Sequence, residues 1–311
     1  MIKAKIEDRG QEDFLKSLPD DSKDVYLLSG GQVRLTLVSA THIVNQMKAN
    51  QRTGLLETYV LGQAYIAGLL LTSTIKGDDR VQLTIECGGP IKGISVEAWA
   101  AGAVRGYLME NPIHLSTPLK SLDTSLLFGP GFLTVSRVLE GSKEPVSGTV
   151  MLQYGNIAKD LAVYFDESEQ TPTLFYISLS FDREGHVKGA GGLFIQAMPG
   201  CTDEVLESLS RKAEHLGDLG EAISRGQGGD DYIAANFADY GAQKLSSSFV
   251  AFSCPCTREH FQSYLAKLPA KEKEEILAGA FPLVLECFNC GTTYSFTRQE
   301  VESLFDTEDR K

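Results

Sequence analysis

The sequence lacks the features of secreted and membrane-spanning proteins. Its first residues, up to about Phe14, contain no apolar stretch that could form the core of a signal peptide. The most apolar segment, Leu55 to Leu71, is interrupted by Glu57 and Gln63, whereas a membrane span needs about eighteen consecutive apolar residues. We therefore expect a buried helix in this segment, a cytoplasmic protein, and no membrane as a partner.

Positive charge is also scarce. The 311 residues include 41 acidic and 29 basic side chains, for a net charge of −12. A field of this sign repels phosphate groups, so nucleic acids are not expected partners. Residues 201–311 carry −8 of this charge and residues 1–200 only −4. The shift indicates a boundary near residue 200, in a chain long enough for about two domains.

The motifs of several common enzyme classes are missing as well. There is no Gly-x-Ser-x-Gly nucleophile elbow and no His-Glu-x-x-His motif. The glycines of residues 189–192 look like a phosphate-binding loop, but a strand-like run follows them instead of Gly-Lys-Ser/Thr. The five histidines form no cluster in the sequence; they are His42, His114, His186, His215 and His260. We therefore predict no catalytic residues.

The pattern of strands and helices predicts an α+β fold in three parts. Residues 1–200 are predicted to form a large N-terminal core domain with a mixed α/β sheet. Residues 201–250 are predicted to form a helical linker, and residues 251–311 a small C-terminal zinc-binding domain with four cysteines. The predicted core strands are 35–40, 82–86, 149–154, 174–181 and 191–198, and the predicted core helices are 41–52, 55–74 and 156–169.

The predicted linker is acidic and only marginally helical. Thr202 can cap a helix whose first turn holds Asp203 and Glu204, near the positive end of the helix dipole. The apolar stripe of this helix needs a surface to pack on; it consists of Val205, Leu206, Leu209, Ala213 and Leu216. Residues 226–231 form a glycine-rich, charged break. An ordinary surface helical hairpin explains the same pattern equally well.

The predicted C-terminal domain is a small mixture of helices and strands whose ends are marked by caps and turns. In order, its elements are a helix over 258–268 capped by Thr257, a helix from Pro269 to Gly279, strands over 282–286 and 292–296, and a last helix through Phe305 with a capping box formed by Thr297 and Glu300.

Four of the six cysteines fall in this domain, in two close pairs. They read Cys-Pro-Cys at 254–256 and, after 30 residues, Cys-Phe-Asn-Cys at 287–290. Two such pairs can supply the four corners of a tetrahedral structural zinc site. His260 could compete as a ligand, but with four thiols available we interpret it as a surface helix residue. We predict one zinc ion per chain, bound by Cys254, Cys256, Cys287 and Cys290.

Zinc would decide whether this small domain folds. It has about 60 residues, fewer than the roughly 70–80 at which one apolar core usually suffices. A structural zinc contributes on the order of 10–16 kcal/mol, whereas the whole stability of an ordinary domain is about 5–15 kcal/mol. We therefore predict that the domain is folded with zinc and unfolded without it.

Oxidation of the cysteines would remove the zinc. Metal binding keeps sulfur as the thiolate, which is the form that oxidants attack. Each pair is close enough in sequence to form a local disulfide, Cys254–Cys256 and Cys287–Cys290. Unfolding would then expose an apolar set that consists of Phe252, Phe261, Tyr264, Leu265, Leu283, Val284, Leu285, Phe288 and Phe296.

With these residues in view, the sequence resembles the redox-regulated heat-shock holdases, the family of 33 kDa chaperonins. The similarity covers most of the chain, and its broader part includes Arg105-Gly106-Tyr107-Leu108, the stretch from Asp160 to Pro172, and the segment from Gly191 to Gly200. Its most specific part consists of Phe252, the Cys-x-Cys pair, Arg258-Glu259, and the Cys-x-x-Cys pair followed by Tyr294 and Phe296.

The resemblance implies a chaperone that captures unfolding client proteins without ATP. It implies zinc bound by the four cysteines in a reduced, inactive form. The oxidised form would have two disulfides, an unfolded linker and a homodimeric assembly, and cellular thiol reductants would act on it. Two features depart from the bare pattern: Cys87 and Cys201 lie outside the motif, and Pro255 stiffens the first pair. We interpret Cys87 as a packed cysteine and leave the exposure of Cys201 open.

Two other functions fit parts of the pattern. A thiol-disulfide oxidoreductase could use Cys287 and Cys290, although the thioredoxin-like form of this motif lies near a βαβ unit. Catalytic turnover in insulin reduction would favour this enzyme. A zinc-ribbon nucleic-acid module is disfavoured by the net charge of −3 over the last 61 residues. A salt-dependent shift with DNA or RNA would favour it.

Overall fold

The fold is a mixed α+β structure, as the sequence pattern predicts. The computed structural model describes residues 1–115, 123–142 and 144–308, with side chains as far as Phe305. The elements up to residue 200 are α1 (Arg9–Ser17), β1 (Ser22–Leu28), β2 (Val33–Ser39), α2 (Thr41–Gln51), α3 (Leu55–Leu71), β3 (Arg80–Cys87), β4 (Gly93–Trp99), β5 (Ala103–Leu108), α4 (Ser125–Phe128), β6 (Gly131–Val138), β7 (Val146–Met151), α5 (Ile157–Glu167), β8 (Thr173–Phe181) and β9 (Val187–Ala197). Those that follow are α6 (Asp203–Ala213), α7 (Leu219–Ser224), α8 (Gly229–Phe237), β10 (Gln243–Phe249), β11 (Ala251–Phe252), α9 (Arg258–Ala266), α10 (Ala270–Ala278), β12 (Leu283–Glu286), β13 (Thr293–Phe296) and α11 (Arg298–Glu308).

Two large sheets and one hairpin organise these elements. The five-stranded sheet has the order β10-β1-β2-β9-β8, the six-stranded sheet has the order β11-β5-β4-β3-β6-β7, and β12 pairs with β13. Neighbouring strands are antiparallel except for β11, which runs parallel to β5. Each large sheet therefore receives one edge strand from the chain beyond residue 200.

The strands β10 and β11 are absent from the sequence-based prediction. Every side chain of β10 is exposed, so the strand has no alternation of buried and exposed residues that could mark it. Its position is fixed by pairing with β1, in which Ser22 lies opposite Phe249. The segment predicted as a helical linker thus ends as a strand of the five-stranded sheet.

Helix α3 fills the space between the two large sheets. It packs on β4 and β5 of one sheet and on β8 and β9 of the other, and 14 of its 17 residues are buried. The approach is close, since a Cβ at Gly68 would lie 2.9 Å from the Val96 side chain. Residues 55–74 are long and apolar enough to cross a membrane, but most of this segment is buried within the protein. This is the buried helix that the sequence predicts.

The linker helices cover the opposite face of the five-stranded sheet. Along β9, Phe194 joins the large apolar cluster around α3, whereas Leu193 and Ile195 join a second cluster, because successive strand residues point to opposite faces. We call this second cluster the linker-face cluster. Its buried members are Tyr26, Leu28, Val33, Leu35, Leu37, Leu193 and Ile195 from the sheet and Leu209, Leu219, Ile223, Tyr232, Ile233 and Phe237 from the linker.

The predicted break over residues 226–231 is shorter than expected. Helix α8 begins at Gly229, and Asp230 accepts a hydrogen bond from the Tyr26 hydroxyl of β1. Asp230 also pairs with Lys244 of β10 at 2.9 Å. These contacts place the carboxylate at the positive end of the helix and extend the helix into a segment that the sequence assigns to a loop.

The predicted caps of the C-terminal elements are present. The Thr257 side chain accepts a hydrogen bond from the His260 amide at 3.1 Å, and the Glu300 carboxylate accepts one from the Thr297 amide at 2.8 Å. Buried side chains of this region, including Phe296, belong to the same apolar cluster as α3. The C-terminal elements are therefore docked on the core.

Candidate metal centre

Four cysteine sulfurs come together in one buried cluster. All four lie within 4.8 Å of one another; they belong to Cys254, Cys256, Cys287 and Cys290. None of the four residues is more than 7% exposed. The two pairs that are separated by 30 residues in the sequence thus form a single site.

Backbone pairing brings the first pair to this site. Strand β11 runs beside β5, and the next residue, Ser253, donates a backbone hydrogen bond to the Val104 carbonyl at 3.1 Å. Cys254 follows directly. The Cys-x-Cys pair therefore follows directly after an edge strand of the six-stranded sheet, and the pairing of this strand with β5 fixes the position of Cys254.

The second pair lies on a tight turn after β12. The amides of Cys290 and Gly291 both donate to the Cys287 carbonyl, at 3.1 and 2.8 Å. Gly291 has a φ of +63°, in the left-handed region that favours glycine. A Cβ at this position would lie 2.1 Å from the Asn50 carbonyl oxygen of α2. The turn fits against α2 because residue 291 has no side chain.

The donor set fits a four-coordinate zinc ion. Zinc binds thiolates tetrahedrally with Zn–S distances of about 2.3 Å, which places the sulfurs about 3.8 Å apart. The Cys254 and Cys287 sulfurs are 3.8 Å apart, and those of Cys256 and Cys290 are 3.3 Å apart. All six sulfur–sulfur distances are 4.8 Å or less, which is close to the spacing that such a tetrahedron needs. The cluster could therefore hold a metal ion.

The buried sulfurs bias one another's protonation. Hydrogen bonds from the thiols of Cys287 and Cys290, together with one from Arg105, hold the pKa of Cys254 far below its usual value. Because Cys287 donates to this thiolate, its own pKa is raised well above the usual value. The fold thus favours the thiolate form of Cys254.

Arg105 reaches the cluster from the core sheet. Its Nη1 lies 3.3 Å from the Cys254 sulfur, and its Nε donates to Glu97 on the neighbouring strand at 2.8 Å. Glu97 and Arg105 are paired in the register of β4 and β5. In the sequence, Arg105 is marked only as part of a motif that carries the family resemblance, and its separation from Cys254 by 149 positions leaves no local signal of a role at the site.

The C-terminal end of α2 holds the Cys287–Cys290 turn. Asn50 Nδ2 donates to the Cys290 carbonyl at 3.0 Å and to the Ile2 carbonyl at 2.9 Å. Gln51 Nε2 donates to the Phe288 carbonyl at 2.9 Å. Asn50 is only 5% exposed, so these hydrogen bonds form with little competition from water. No local pattern in the sequence marks either Asn50 or Gln51 as part of the site.

Replacing Asn50 with alanine (N50A) is expected to loosen the docking of this turn without removing a cysteine. Loss of the amide leaves buried carbonyls unsatisfied, which costs about 1–3 kcal/mol. Amide hydrogen exchange over residues 283–296 should therefore become about tenfold faster in the reduced, zinc-loaded chain, because about 1.4 kcal/mol is a tenfold change in an opening equilibrium. Exchange measured by peptide mass spectrometry would report this.

Asn45 provides the matched control for N50A. It is also on α2 and also 5% exposed, but its Nδ2 donates to the Val187 carbonyl of β9 at 3.0 Å. Replacement by alanine (N45A) should accelerate exchange around β9 and leave residues 283–296 unchanged. Equal exchange of residues 283–296 in both variants would contradict the role of Asn50.

The remaining candidate residues lie apart from the four sulfurs. His260 is exposed on α9 and packs edge-on against Tyr264, with ring centroids 4.8 Å apart, in agreement with its interpretation as a surface residue. Cys87 and Cys201 are half-buried, and burial raises the pKa of each thiol. Neither belongs to the four-sulfur cluster.

Comparison with known proteins gives consistent matches over most of the chain. The family model described as "Hsp33 protein" matches residues 21–297. The 33 kDa chaperonin of Geobacter sulfurreducens is 35% identical over 280 residues, which cover 89% of this chain and 92% of that protein. The 33 kDa chaperonin of Desulforamulus reducens is 32% identical over 284 residues, which cover 91% of this chain and 96% of that protein.

A solved structure has the same fold. The crystal structure of the 33 kDa chaperonin, a heat shock protein 33 homolog, from Thermotoga maritima aligns with a TM-score of 0.83 at 27% identity. The alignment covers 94% of this chain and 100% of that chain. The overall architecture is therefore similar in both proteins.

Proposed function

The chain belongs to the Hsp33 family of chaperones, and we propose that it is a redox-regulated, ATP-independent holdase. The reduced, zinc-bound chain is inactive. Oxidative stress forms two disulfides, releases the zinc and unfolds the C-terminal region, and the chain then binds unfolding proteins and prevents their aggregation. The oxidised protein is a homodimer in the cytoplasm, and cellular thiol reductants return it to the inactive form.

One zinc ion per chain is proposed to occupy the four-cysteine cluster. The ligands are Cys254, Cys256, Cys287 and Cys290. When bound, the ion supplies the positive charge that lets four thiolates share one buried site. The protein itself contributes the pairing of β11 with β5 and the docking of the Cys287–Cys290 turn on α2. When oxidation removes the thiolate ligands, the zinc no longer joins the two cysteine pairs. Both the pairing of β11 with β5 and the docking of the turn on α2 are then weakened.

The observation that carries this proposal is the linker-face cluster. If α7 and α8 detach, the residues that the five-stranded sheet contributes to this cluster become a contiguous apolar surface. Exposed apolar surfaces of this kind bind unfolded chains. The linker ends with β10 and is followed directly by β11 and then Cys254, so unfolding that begins at the cysteines removes the support at its C-terminal end. In this proposal residues 1–200 bind clients and dimerise, residues 201–250 are the redox-sensitive linker, and residues 251–311 are the switch.

The proposed disulfides are Cys254–Cys256 and Cys287–Cys290. Each forms when two thiols lose two protons and two electrons, which reduce one molecule of peroxide to two of water. In the folded arrangement, sulfur distances of 3.8 and 3.3 Å join Cys254 to Cys287 and Cys256 to Cys290. A disulfide within either pair closes a loop of three or four residues, whereas one between the pairs closes a loop of about 30 residues at higher entropic cost. Local opening of the cluster during oxidation therefore favours the two local pairs, and unfolding of the region follows.

The experiment that tests the function combines peroxide with mild heating. The oxidised chain should suppress aggregation of a heat-denatured client enzyme, measured by light scattering without ATP, whereas the reduced chain should not. Zinc should fall from one per chain to none, and four of the six thiols should be lost. Release of zinc without any suppression of aggregation would overturn the proposal, and treatment with a dithiol reductant is the control that restores the starting state.

Burial of the sulfurs disfavours the thiol-disulfide oxidoreductase. An attacking thiolate must reach the disulfide of its substrate, but Cys287 and Cys290 are 7% and 0% exposed. The reduced chain is accordingly not expected to reduce insulin catalytically.

A further inference from the structure

Arg105 is a cation of the core sheet that touches a sulfur of the C-terminal cluster. Its Nη1 donates to Cys254 Sγ at 3.3 Å, while Nε and Nη2 both donate to the same Glu97 oxygen. The guanidinium also lies 5.3 Å from the centre of the Trp99 ring. The side chain is only 17% exposed. Three contacts with residues of β4 therefore fix the group that faces Cys254.

The charges around Arg105 leave a positive excess beside the sulfurs. Glu97 is shared, because Arg80 also approaches it, with Nη1 3.8 Å from the second carboxylate oxygen. Two guanidinium groups thus face one carboxylate, and the guanidinium of Arg105 is the one that extends to Cys254. A zinc ion with four thiolates carries a net charge of −2, which is unfavourable in a buried site unless cations or hydrogen-bond donors compensate it.

We propose that Arg105 is a positioning residue of the redox switch, which holds Cys254 through an N–H···S hydrogen bond and compensates the negative charge of the zinc-bound cluster. The regulatory part of this inference rests on the proposed function, whereas the effect on metal binding does not. The positive charge of the guanidinium and the fixed position of the sulfur strengthen zinc binding. The hydrogen bond also withdraws electron density from the sulfur, which slows attack by oxidants. It also makes the core sheet a direct partner of the metal site.

Replacement of Arg105 by methionine (R105M) removes the charge and the hydrogen bond but keeps an unbranched side chain. Residues that bind and orient metal ligands typically contribute 10–100-fold to affinity. The zinc dissociation constant of the reduced chain, measured by competition with a chromophoric chelator, should therefore rise by about 10–100-fold. Release of zinc by a fixed peroxide concentration should become faster.

Arg80 supplies the matched control. It contacts the same Glu97 from β3 but does not contact a sulfur. The variant R80M should therefore bind zinc within about threefold of the parent chain. The conservative variant R105K, which keeps the charge but cannot reach Glu97 and Cys254 together, should lie between R105M and the parent. If R105M does not fold, R105K alone decides, with an expected affinity loss of several-fold.

A spectroscopic measurement separates this role from a merely structural one. Cobalt(II) substituted into the site gives a thiolate-to-metal charge-transfer band, and a hydrogen bond to the sulfur raises the energy of this transition. The band should move to longer wavelength in R105M and stay unchanged in R80M. Unchanged zinc affinity and cobalt spectra in R105M and R105K would overturn the assignment. An oxidised parent chain that fails to hold clients would instead overturn the proposed function and leave Arg105 as a metal-site residue.

Discussion

Replacing Cys290 with serine (C290S) is expected to abolish zinc binding and to unfold residues 251–308 of the reduced chain. Cys290 is 0% exposed, and a serine hydroxyl is not deprotonated at neutral pH, so it does not replace the thiolate. Loss of the site forfeits on the order of 10 kcal/mol of zinc-linked folding energy. That is comparable to the whole stability of an ordinary domain, about 5–15 kcal/mol.

Metal analysis and limited proteolysis would measure this effect. Zinc should fall from one per chain to near zero, and protease should remove the region beyond residue 250 while a core fragment persists. The control is C87S, which makes the same replacement at a half-buried thiol outside the cluster and should keep one zinc. A protease-resistant C290S chain with tightly bound zinc would show that the fourth cysteine is dispensable.

Replacing Phe237 with alanine (F237A) is expected to activate the chain without oxidation. Phe237 lies at the end of α8, is 0% exposed and belongs to the linker-face cluster. Truncation of a buried phenylalanine costs about 3–5 kcal/mol, and short linker helices have little stability of their own. The helices should therefore detach from the sheet and expose its apolar face.

The measurement is suppression of client aggregation by reduced F237A with zinc still bound. The control F165A makes the same truncation at a residue that is 1% exposed and lies in the cluster around α3. It should destabilise the core and leave the reduced chain inactive. If reduced F237A does not hold clients although hydrogen exchange shows that α8 has detached, the linker-face cluster is not the client-binding surface.

Much of the fold can be predicted from the sequence because its signals are local. The buried helix α3 follows from one apolar run, and the cap at Thr257 follows from residues within one turn of each other. Strand β10 cannot be predicted in this way, since its polar, fully exposed sequence has no pattern and only pairing with β1 defines it. The start of α8 at Gly229 likewise depends on contacts with β1 and β10.

The sequence by itself determined the chemistry of the candidate site. Two cysteine pairs with metal-ligand spacing specify a four-thiolate donor set, because the short spacing within each pair keeps its two sulfurs close in any compact fold. Only the tertiary structure decided what surrounds those sulfurs and what the linker covers. Arg105 meets Cys254 across 149 residues, and Asn50 meets Cys290 across 240. Contacts of this range arise from sheet register and helix docking, which leave no trace in the local sequence.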